Sequence, residues 1–371
     1  MPDGSVLLTR YADVVAVYKD PKSYSSDKQA EFGPKYGIGS PLFEHHTTSL
    51  VFNDPPLHTR VRRLIAGALT PRHVAAMEDG LVRRVDELLA ALADAARRGP
   101  VDLIGAYASA IPVEIIGNLL GVPHAERAPL RDWSLAILGA LEPTLTPEAE
   151  ARGNAAVRDM LVYLDGLVAQ RRAAPGDPEI DVLTRLIVGE GGEQLGAAEL
   201  LHNCIFLLNA GHETTTNLIG NGLKCLLDWP DEKARLLADP ELARLAVEEF
   251  LRIESSNQLG NRITTCAVEI GGARLPPRSL VTLCIGAANR DPAQFADPDR
   301  LDITRSPNRH VAFGSGIHQC VGMGLARLEG RVAISRFLAR FPGYRLAGPA
   351  VRARRARFRG HVSLPCTLSS S

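Results

Sequence analysis

The chain has 371 residues, 45% of them hydrophobic, with 42 basic against 42 acidic side chains. That balance is ordinary for a globular protein and supplies enough apolar material for a sizeable core. With no net charge to attract a polyanion, neither nucleic acid nor an anionic membrane surface is expected as a partner. Length alone suggests two or three domains, yet no linker-like shift in composition, internal repeat or low-complexity tract divides the sequence.

Met1 to Tyr11 carries no basic stretch followed by a long apolar one, so no secretory leader is expected. The six cysteines, Cys204, Cys225, Cys266, Cys284, Cys320 and Cys366, form no C-x-x-C pair. A disulfide framework or zinc site is therefore not expected, and a reducing cytoplasm is the simpler location. Val6 to Ser26 reads as a short strand, a helix over Tyr11 to Lys19, and a turn at Asp20-Pro21. Asp27 to Phe52 is broken by glycines and prolines without a sustained period and reads as a long loop, functional or mobile in a compact protein.

Asn53-Asp54-Pro55-Pro56 announces a helix, with Asp54 as N-cap and Pro55 at the first helical position. His58 and Arg62 follow at i,i+4 on one face; alone, such a pair reads as a solvated basic stripe. From Pro71 to Arg172 the pattern is mostly amphipathic helix. Breaks fall near Gly99-Pro100, Gly121-Val122-Pro123 and Glu142 to Pro147. Ala173 to Glu179 and Gly189 to Gly196 read as turns.

Glu199 to Asp228 predicts a long apolar helix. Its most apolar run, Glu199 to Glu213, falls short of the ~20 residues a bilayer needs. The middle, Ala210-Gly211-His212-Glu213-Thr214-Thr215-Thr216, conflicts with its surroundings: glycine costs ~1 kcal/mol relative to alanine, and a carboxylate sits in a buried helix. Thr214 can bond back to the Ala210 carbonyl and bend the helix. Gly211 would leave room there for a small ligand. One reading is a crossing packed with small residues; the other is function, where local rules most often fail. His212 lies off the Glu213-Thr214 pair, and no chemistry is assigned to it.

Glu249 and Arg252 stand at i,i+3 in a helix over Glu241 to Ile253, a pair worth only ~0.2–0.5 kcal/mol if exposed. Glu254 to Gly260 is polar, with Asn257 and Gln258 as candidate substrate contacts. Val268 to Gly272 and Leu280 to Ile285 alternate as strands do. Phe313-Gly314-Ser315-Gly316-Ile317-His318-Gln319-Cys320-Val321-Gly322 then places a cysteine among three glycines, just before a helix running to Arg340. Unpaired N–H groups at that helix start should lower the thiol pKa. Gly314, Gly316 and Gly322 can take positive φ and let backbone approach a bulky ligand. A thiolate so held can serve as an axial haem ligand.

The spacing F-G-x-G-x-H-x-C-x-G resembles the cysteine loop of the cytochrome P-450 (haem-thiolate monooxygenase) family. Other stretches match that family's patterns. They are D-P-P-x-H-x-x-x-R at Asp54 to Arg62, A-G-x-[DE]-T at Ala210 to Thr214, E-x-x-R at Glu249 to Arg252, and P-[DE]-R at Pro298-Asp299-Arg300. The resemblance implies one triangular, helix-rich fold over residues 1–371, mainly α with small β-sheets. It also implies an additional helix and strand before Val6, which this sequence does not show.

The resemblance implies haem b (iron protoporphyrin IX) with Cys320 on its iron. It places Ala210, Phe313, Gly314 and Gly322 against the cofactor, and His58, Arg62, Arg262 and His318 on its propionates. Glu213 and Thr214 would deliver protons for dioxygen activation. Glu249, Arg252 and Arg300 would form a buried network that holds the cysteine loop. Asn209, Asn257 and Gln258 are the candidate contacts to a small organic substrate. The region Asp27 to Phe52 would close one side of the substrate pocket, and the tip of Arg354 to Pro365 would touch substrate.

The implied reaction inserts one oxygen atom from O2. No G-x-G-x-x-G, iron–sulfur cysteine set or flavin domain supplies electrons. A separate ferredoxin or flavodoxin with its reductase is implied; Arg63, Arg72, Arg309 and Arg327 read either as a cationic docking face on the cysteine side or as ordinary solvated arginines. A peroxide-driven haem-thiolate enzyme, a non-catalytic haem-binding or sensing protein, and a haem-free protein with Cys320 as a structural core cysteine are the alternatives.

Overall fold

The computed structural model describes residues 5–189 and 191–369. Within the readings above, residues 1–4, position 190 and the last two residues lie outside that description. The chain is 57% helical with small sheets. Strand β1 (Val6–Leu8) leads to helix α1 (Tyr11–Lys19), and β2 is Tyr24–Ser25.

Residues 27–52 are not a loop. They form α2 (Gln29–Tyr36), α3 (Pro41–Thr48) and a single 3-10 turn (Leu50–Phe52). Local capping explains α3: the Ser40 hydroxyl accepts from Phe43 N at 3.2 Å, and Pro41 occupies the first turn. Both helices bury one face through Phe32, Tyr36 and Leu42. At eight residues each, they are stable only through that tertiary burial.

Helix α4 (Leu57–Ala68) begins later than its sequence suggests, and Asp54 does not cap it with its side chain. The Asp54 carboxylate instead accepts from Ser26 N (2.8 Å) and Ser25 Oγ, fastening α4 to β2. Helices α5 (Pro71–Ala76), α6 (Glu78–Ala96), α7 (Ala110–Leu120), α8 (Leu130–Gly139), α9 (Pro147–Ala173) and α10 (Val182–Val188) follow, with β3 (Val101–Asp102) between α6 and α7. The breaks at 99–100, 121–123 and 142–147 fall where expected. Gly121 takes φ +68° at the end of α7, a left-handed cap that favours glycine.

Helix α11 (Ala197–Asp228) is the axis of the molecule and is buried on most sides. Helices α7, α8 and α9 pack on one side of it; α13 (Ala243–Ile253) and α15 (Met323–Arg340) pack on another. Close approach needs small residues: a Cβ on Gly222 would stand 2.7 Å from Ile334 Cδ1 and 2.9 Å from Phe250 Cδ2. Leu223, Leu226, Phe250 and Phe337 are fully buried around these crossings. Each contributes roughly 1.5–3 kcal/mol by leaving water.

Between these helices lie α12 (Pro230–Ala238), β4 (Leu259–Thr264), β5 (Val268–Ile270), β6 (Ala273–Leu275), β7 (Leu280–Cys284) and α14 (Ile285–Ala288). One four-stranded sheet has the order β1-β7-β4-β2, so β1 pairs with a strand 275 residues away. The C-terminal strands are β8 (Arg345–Leu346), β9 (Val351–Arg352), β10 (His361–Ser363) and β11 (Pro365–Thr367). β3, β11 and β8 form a second sheet and β9 pairs β10. The intervening residues 353–360 run back over α11. Among the described residues, no helix is long and apolar enough to cross a membrane.

Candidate active site

The cysteine loop is shaped by two glycines. Gly314 takes φ +67° and Gly316 φ +68°. A Cβ on Gly316 would stand 2.0 Å from the Tyr18 carbonyl oxygen, so both its conformation and its space demand glycine. Gly322 differs from expectation: its φ is −88°, and it meets no atom where a Cβ would stand. It contributes open space on the cavity wall rather than unusual backbone. Cys320 N donates to Phe313 O at 2.8 Å, closing the loop, and α15 starts three residues later.

The loop forms part of the wall of a cavity of about 350 Å³. Cys320 faces this space. Its accessible surface opens onto the cavity while protein atoms surround it otherwise. Burial accordingly raises its pKa, against lowering by the Gly322 N–H, Arg62 and Arg327. The expected lowering by the helix start is thus outweighed. Coordination to a metal would reverse this, because a ligating thiol is deprotonated outright.

Four basic residues gather beside the cysteine. Arg62 of α4 donates to Gln319 O at 2.6 Å. The His58 and His318 rings lie 4.0 Å apart. Both ring nitrogens of His58, and Nε2 of His318, are buried without a partner. Arg262 of β4 is buried, donates to Asn261 O at 2.7 Å, and has its guanidinium 5.2 Å from the Tyr18 ring centroid. Among the described residues, neither Arg62 nor Arg262 has a carboxylate partner. Burial, then Arg62, lowers His58 to about 4; burial, then Arg262, lowers His318 to about 2. With no carboxylate paired to either ring among the described residues, the two histidines are held neutral. Orphaned donors and two unpaired guanidiniums around a cavity-facing sulfur fit a group bearing carboxylates.

Across the cavity, Thr214 Oγ1 donates to Ala210 O at 2.8 Å, as its sequence predicts. Ala210, Thr214 and Asn209 line the cavity, with Phe313, Gly314 and Gly322. Gly211 also borders it, but a Cβ there would lie 2.9 Å from Ile116 Cδ1. Its small size serves the approach of α7 as well as the cavity. Glu213 turns away: Arg355 Nη1 donates to both its oxygens, at 2.6 and 2.7 Å. Burial raises the Glu213 pKa, and Arg355 opposes that shift. His212 is buried, and burial lowers its pKa to about 4.

Two assignments are corrected. Arg300 is exposed, and only its carbonyl joins the buried network, accepting from Arg252 Nη2 at 3.0 Å. Arg305 takes the place expected of it, its Nε lying 3.2 and 3.3 Å from the Glu249 oxygens. Gln258 does not line the cavity. Its Nε2 donates to Ser255 O at 2.7 Å, and its Oε1 occupies the space a Cβ on Gly286 would need. Asn257 does line the cavity, with Oδ1 unpartnered, and both side-chain polar atoms of Asn209 are likewise free.

The family model described as "Cytochrome P450" matches residues 233–343. Cytochrome P450 107B1 of Saccharopolyspora erythraea is 41% identical over 352 residues, 92% of this chain and 83% of that protein. Vitamin D(3) 25-hydroxylase of Pseudonocardia autotrophica is 41% identical, with 94% and 83% coverage. The crystal structure of P450BioI in complex with acyl carrier protein ligated to hexadec-9Z-enoic acid superposes with a TM-score of 0.91. The two chains are 33% identical, with 98% of this chain and 92% of that one covered.

The chain belongs to the cytochrome P450 family. It is a monooxygenase, an oxidoreductase carrying haem b.

Several residues of this P450 escape a reading by motif. Arg355, Arg357 and Arg305 have partners distant in sequence, and Lys28 and Glu31 pair at i,i+3, a spacing that reads as an ordinary surface pair. Glu329 of α15 also lines the cavity, and burial pushes its pKa up to about 8.

Proposed function

We propose that Cys320 binds the haem iron and that His58, Arg62, Arg262 and His318 hold the propionates. The observation that carries this reading is the convergence of a cavity-facing sulfur with Arg62, Arg262 and His318 on the same cavity wall and His58 stacked beside His318, none of them with a carboxylate partner among the described residues. Haem b, when bound, supplies the activation of dioxygen. The protein's own part is to bind, orient and protonate. Asn209 and Asn257 orient a small organic substrate through their free amide atoms, and one oxygen atom is inserted into it.

Thr214 presents its hydroxyl to the cavity and holds its neighbours by the bond to Ala210 O. Glu213 serves as the proton reserve behind Thr214, acting by general acid catalysis once its carboxyl turns from Arg355. Glu249 and Arg252, with Arg305, keep the cysteine loop in place. Electrons come from a separate ferredoxin or flavodoxin with its reductase, in the cytoplasm. Of the arginines considered for docking, Arg63 pairs with Glu193, and Arg327 pairs with Glu248 at 2.7 Å. Exposed Arg72 and Arg309 are the better docking candidates.

The test is the absorption spectrum of the reduced, carbon-monoxide-treated protein. The wild type should show the strongly red-displaced band of thiolate-ligated haem, and Cys320→Ser should lose it. A band that persists in Cys320→Ser removes Cys320 from the ligand role.

A further inference from the structure

Away from Cys320, the cavity extends towards α2, α3 and residues 353–360. Its wall is apolar around Phe32, Leu50, Phe52, Ile116 and Ile137, yet it carries Lys28, Glu31 and Arg357. Lys28 Nζ pairs with Glu31 at 2.6 Å, a self-neutralising couple. Behind them, Lys35 Nζ donates to Glu142 O at 2.7 Å, and the Glu142 carboxylate accepts from Ala356 N and Arg357 N at 2.8 and 3.2 Å. Three cations thus face two carboxylates, which leaves one positive charge over. Neither Lys35 nor Arg357 has an ion-pair partner among the described residues, and Glu31 and Glu142 act on Arg357 from beyond that distance; of the two cations Arg357 is the one on the cavity wall.

Arg357 Nη1 donates to Leu259 O at 2.9 Å and Nη2 to Asn261 Oδ1 at 2.5 Å. Its Nε is buried with no partner, and among the described residues no carboxylate stands within ion-pair distance of it. An arginine cannot shed its proton to escape this cost. A buried charge without a counter-charge is expensive and is retained only where something compensates it. Arg357 faces the far part of the cavity, where its charge acts on Lys35 and His46, and Asn261 links it to Arg262, which shares its influence on Lys28 and Tyr18.

We propose that Arg357 is a specificity-determining residue that receives the carboxylate of the substrate, so that the substrate class is an organic acid with an apolar body. One surplus positive charge matches one carboxylate; a dianionic phosphate would leave the site negative. The inference rests on the haem-thiolate reading, because the same cavity must present substrate to the cofactor.

The experiment uses the full-length, haem-loaded protein. Matched pairs of acid and methyl ester (dodecanoic, deoxycholic and naphthoic) are titrated while the iron spin-state absorption change is followed. In at least one pair the acid should bind about 10- to 100-fold tighter than its ester, the range for a charge-assisted hydrogen bond. Arg357→Gln should abolish that preference and leave ester affinity within about threefold; Arg357→Lys should keep part of it. Acids binding no tighter than their esters in every pair would overturn the inference, as would a preference that survives Arg357→Gln. Loss of haem from Arg357→Gln and Arg357→Lys would also overturn it, by assigning the residue to the cofactor. A wild type with the expected carbon-monoxide band and no acid preference defeats this inference alone. Absence of that band defeats the haem-thiolate reading, and this inference with it.

Discussion

Replacing Glu249 with glutamine keeps the side chain's volume and removes its charge from a fully buried site. Glu249 and Arg252 have no accessible side-chain surface. The carboxylate accepts from Arg252 Nε and Nη2 (both 2.8 Å), Arg305 Nε, Asn308 Nδ2 (3.0 Å) and Asp302 N (3.0 Å). Without it, the Arg252 guanidinium is left charged in the core. Breaking a buried pair in this way costs about 3–5 kcal/mol. With an unfolding entropy of about 2 cal/mol/K per residue, a chain of this length should melt about 4–6 °C lower. Arg305→Ala should cost less, about 1–3 kcal/mol, because it leaves Glu249 still paired with Arg252.

Arg300→Ala should stay within about 0.5 kcal/mol, since it preserves the carbonyl that Arg252 uses. The assay is thermal unfolding by circular dichroism at matched haem content, with haem retention measured in parallel. Retention should follow stability, because Arg252 Nη1 holds Asn289 O at 2.9 Å and Asn289 Oδ1 accepts from Val311 N at 2.7 Å, at the entry to the cysteine loop. If Arg300→Ala proved as costly as Arg305→Ala, or Glu249→Gln melted with the wild type, the network described above would be wrong.

Glu213→Gln should lower the rate of product formation by on the order of 10²-fold without changing ligand affinity, as single-turnover kinetics beside spin-state titrations would reveal. Arg355→Ala removes a lowering influence on Glu213, so the alkaline limb of kcat should move to higher pH; an unmoved limb would disconnect the pair from proton delivery. Glu329 has a folded pKa of about 8, raised above the ordinary carboxyl value of 4.5. The fold therefore favours its protonated form, and stability from this group is full below about pH 4.5 and declines as pH rises towards 8. Glu329→Gln should flatten that decline in urea titrations across the interval, and an identical slope would contradict the assignment. Arg72→Glu combined with Arg309→Glu should slow reduction by an acidic ferredoxin several-fold at low salt, and much less at high salt, where charges are screened. Equal slowing at both salt concentrations would exclude steering.

What could be read from the sequence alone was whatever depends on neighbours along the chain. The cysteine loop, the Thr214 back-bond to Ala210, the long helix α11 and the strands β5 and β7 follow from spacing, propensity and local hydrogen bonding. The family resemblance extended this to the basic residues beside the cysteine. The errors arose where tertiary burial overrides local preference. Residues 27–52 look like a loop because glycine and proline interrupt them, but two short helices form there once Phe32, Tyr36 and Leu42 have an apolar partner. Asp54 looks like a cap, but β2 competes for its carboxylate.

Only the folded chain decided which side chains share a counter-charge. Arg305 rather than Arg300 reaches Glu249, Arg355 takes Glu213, and Arg357 is left unpaired in the cavity wall. Ion pairing depends on distance and burial. Arg355 stands 142 residues from Glu213 and 2.6 Å from its carboxylate, a separation that no spacing along the sequence encodes.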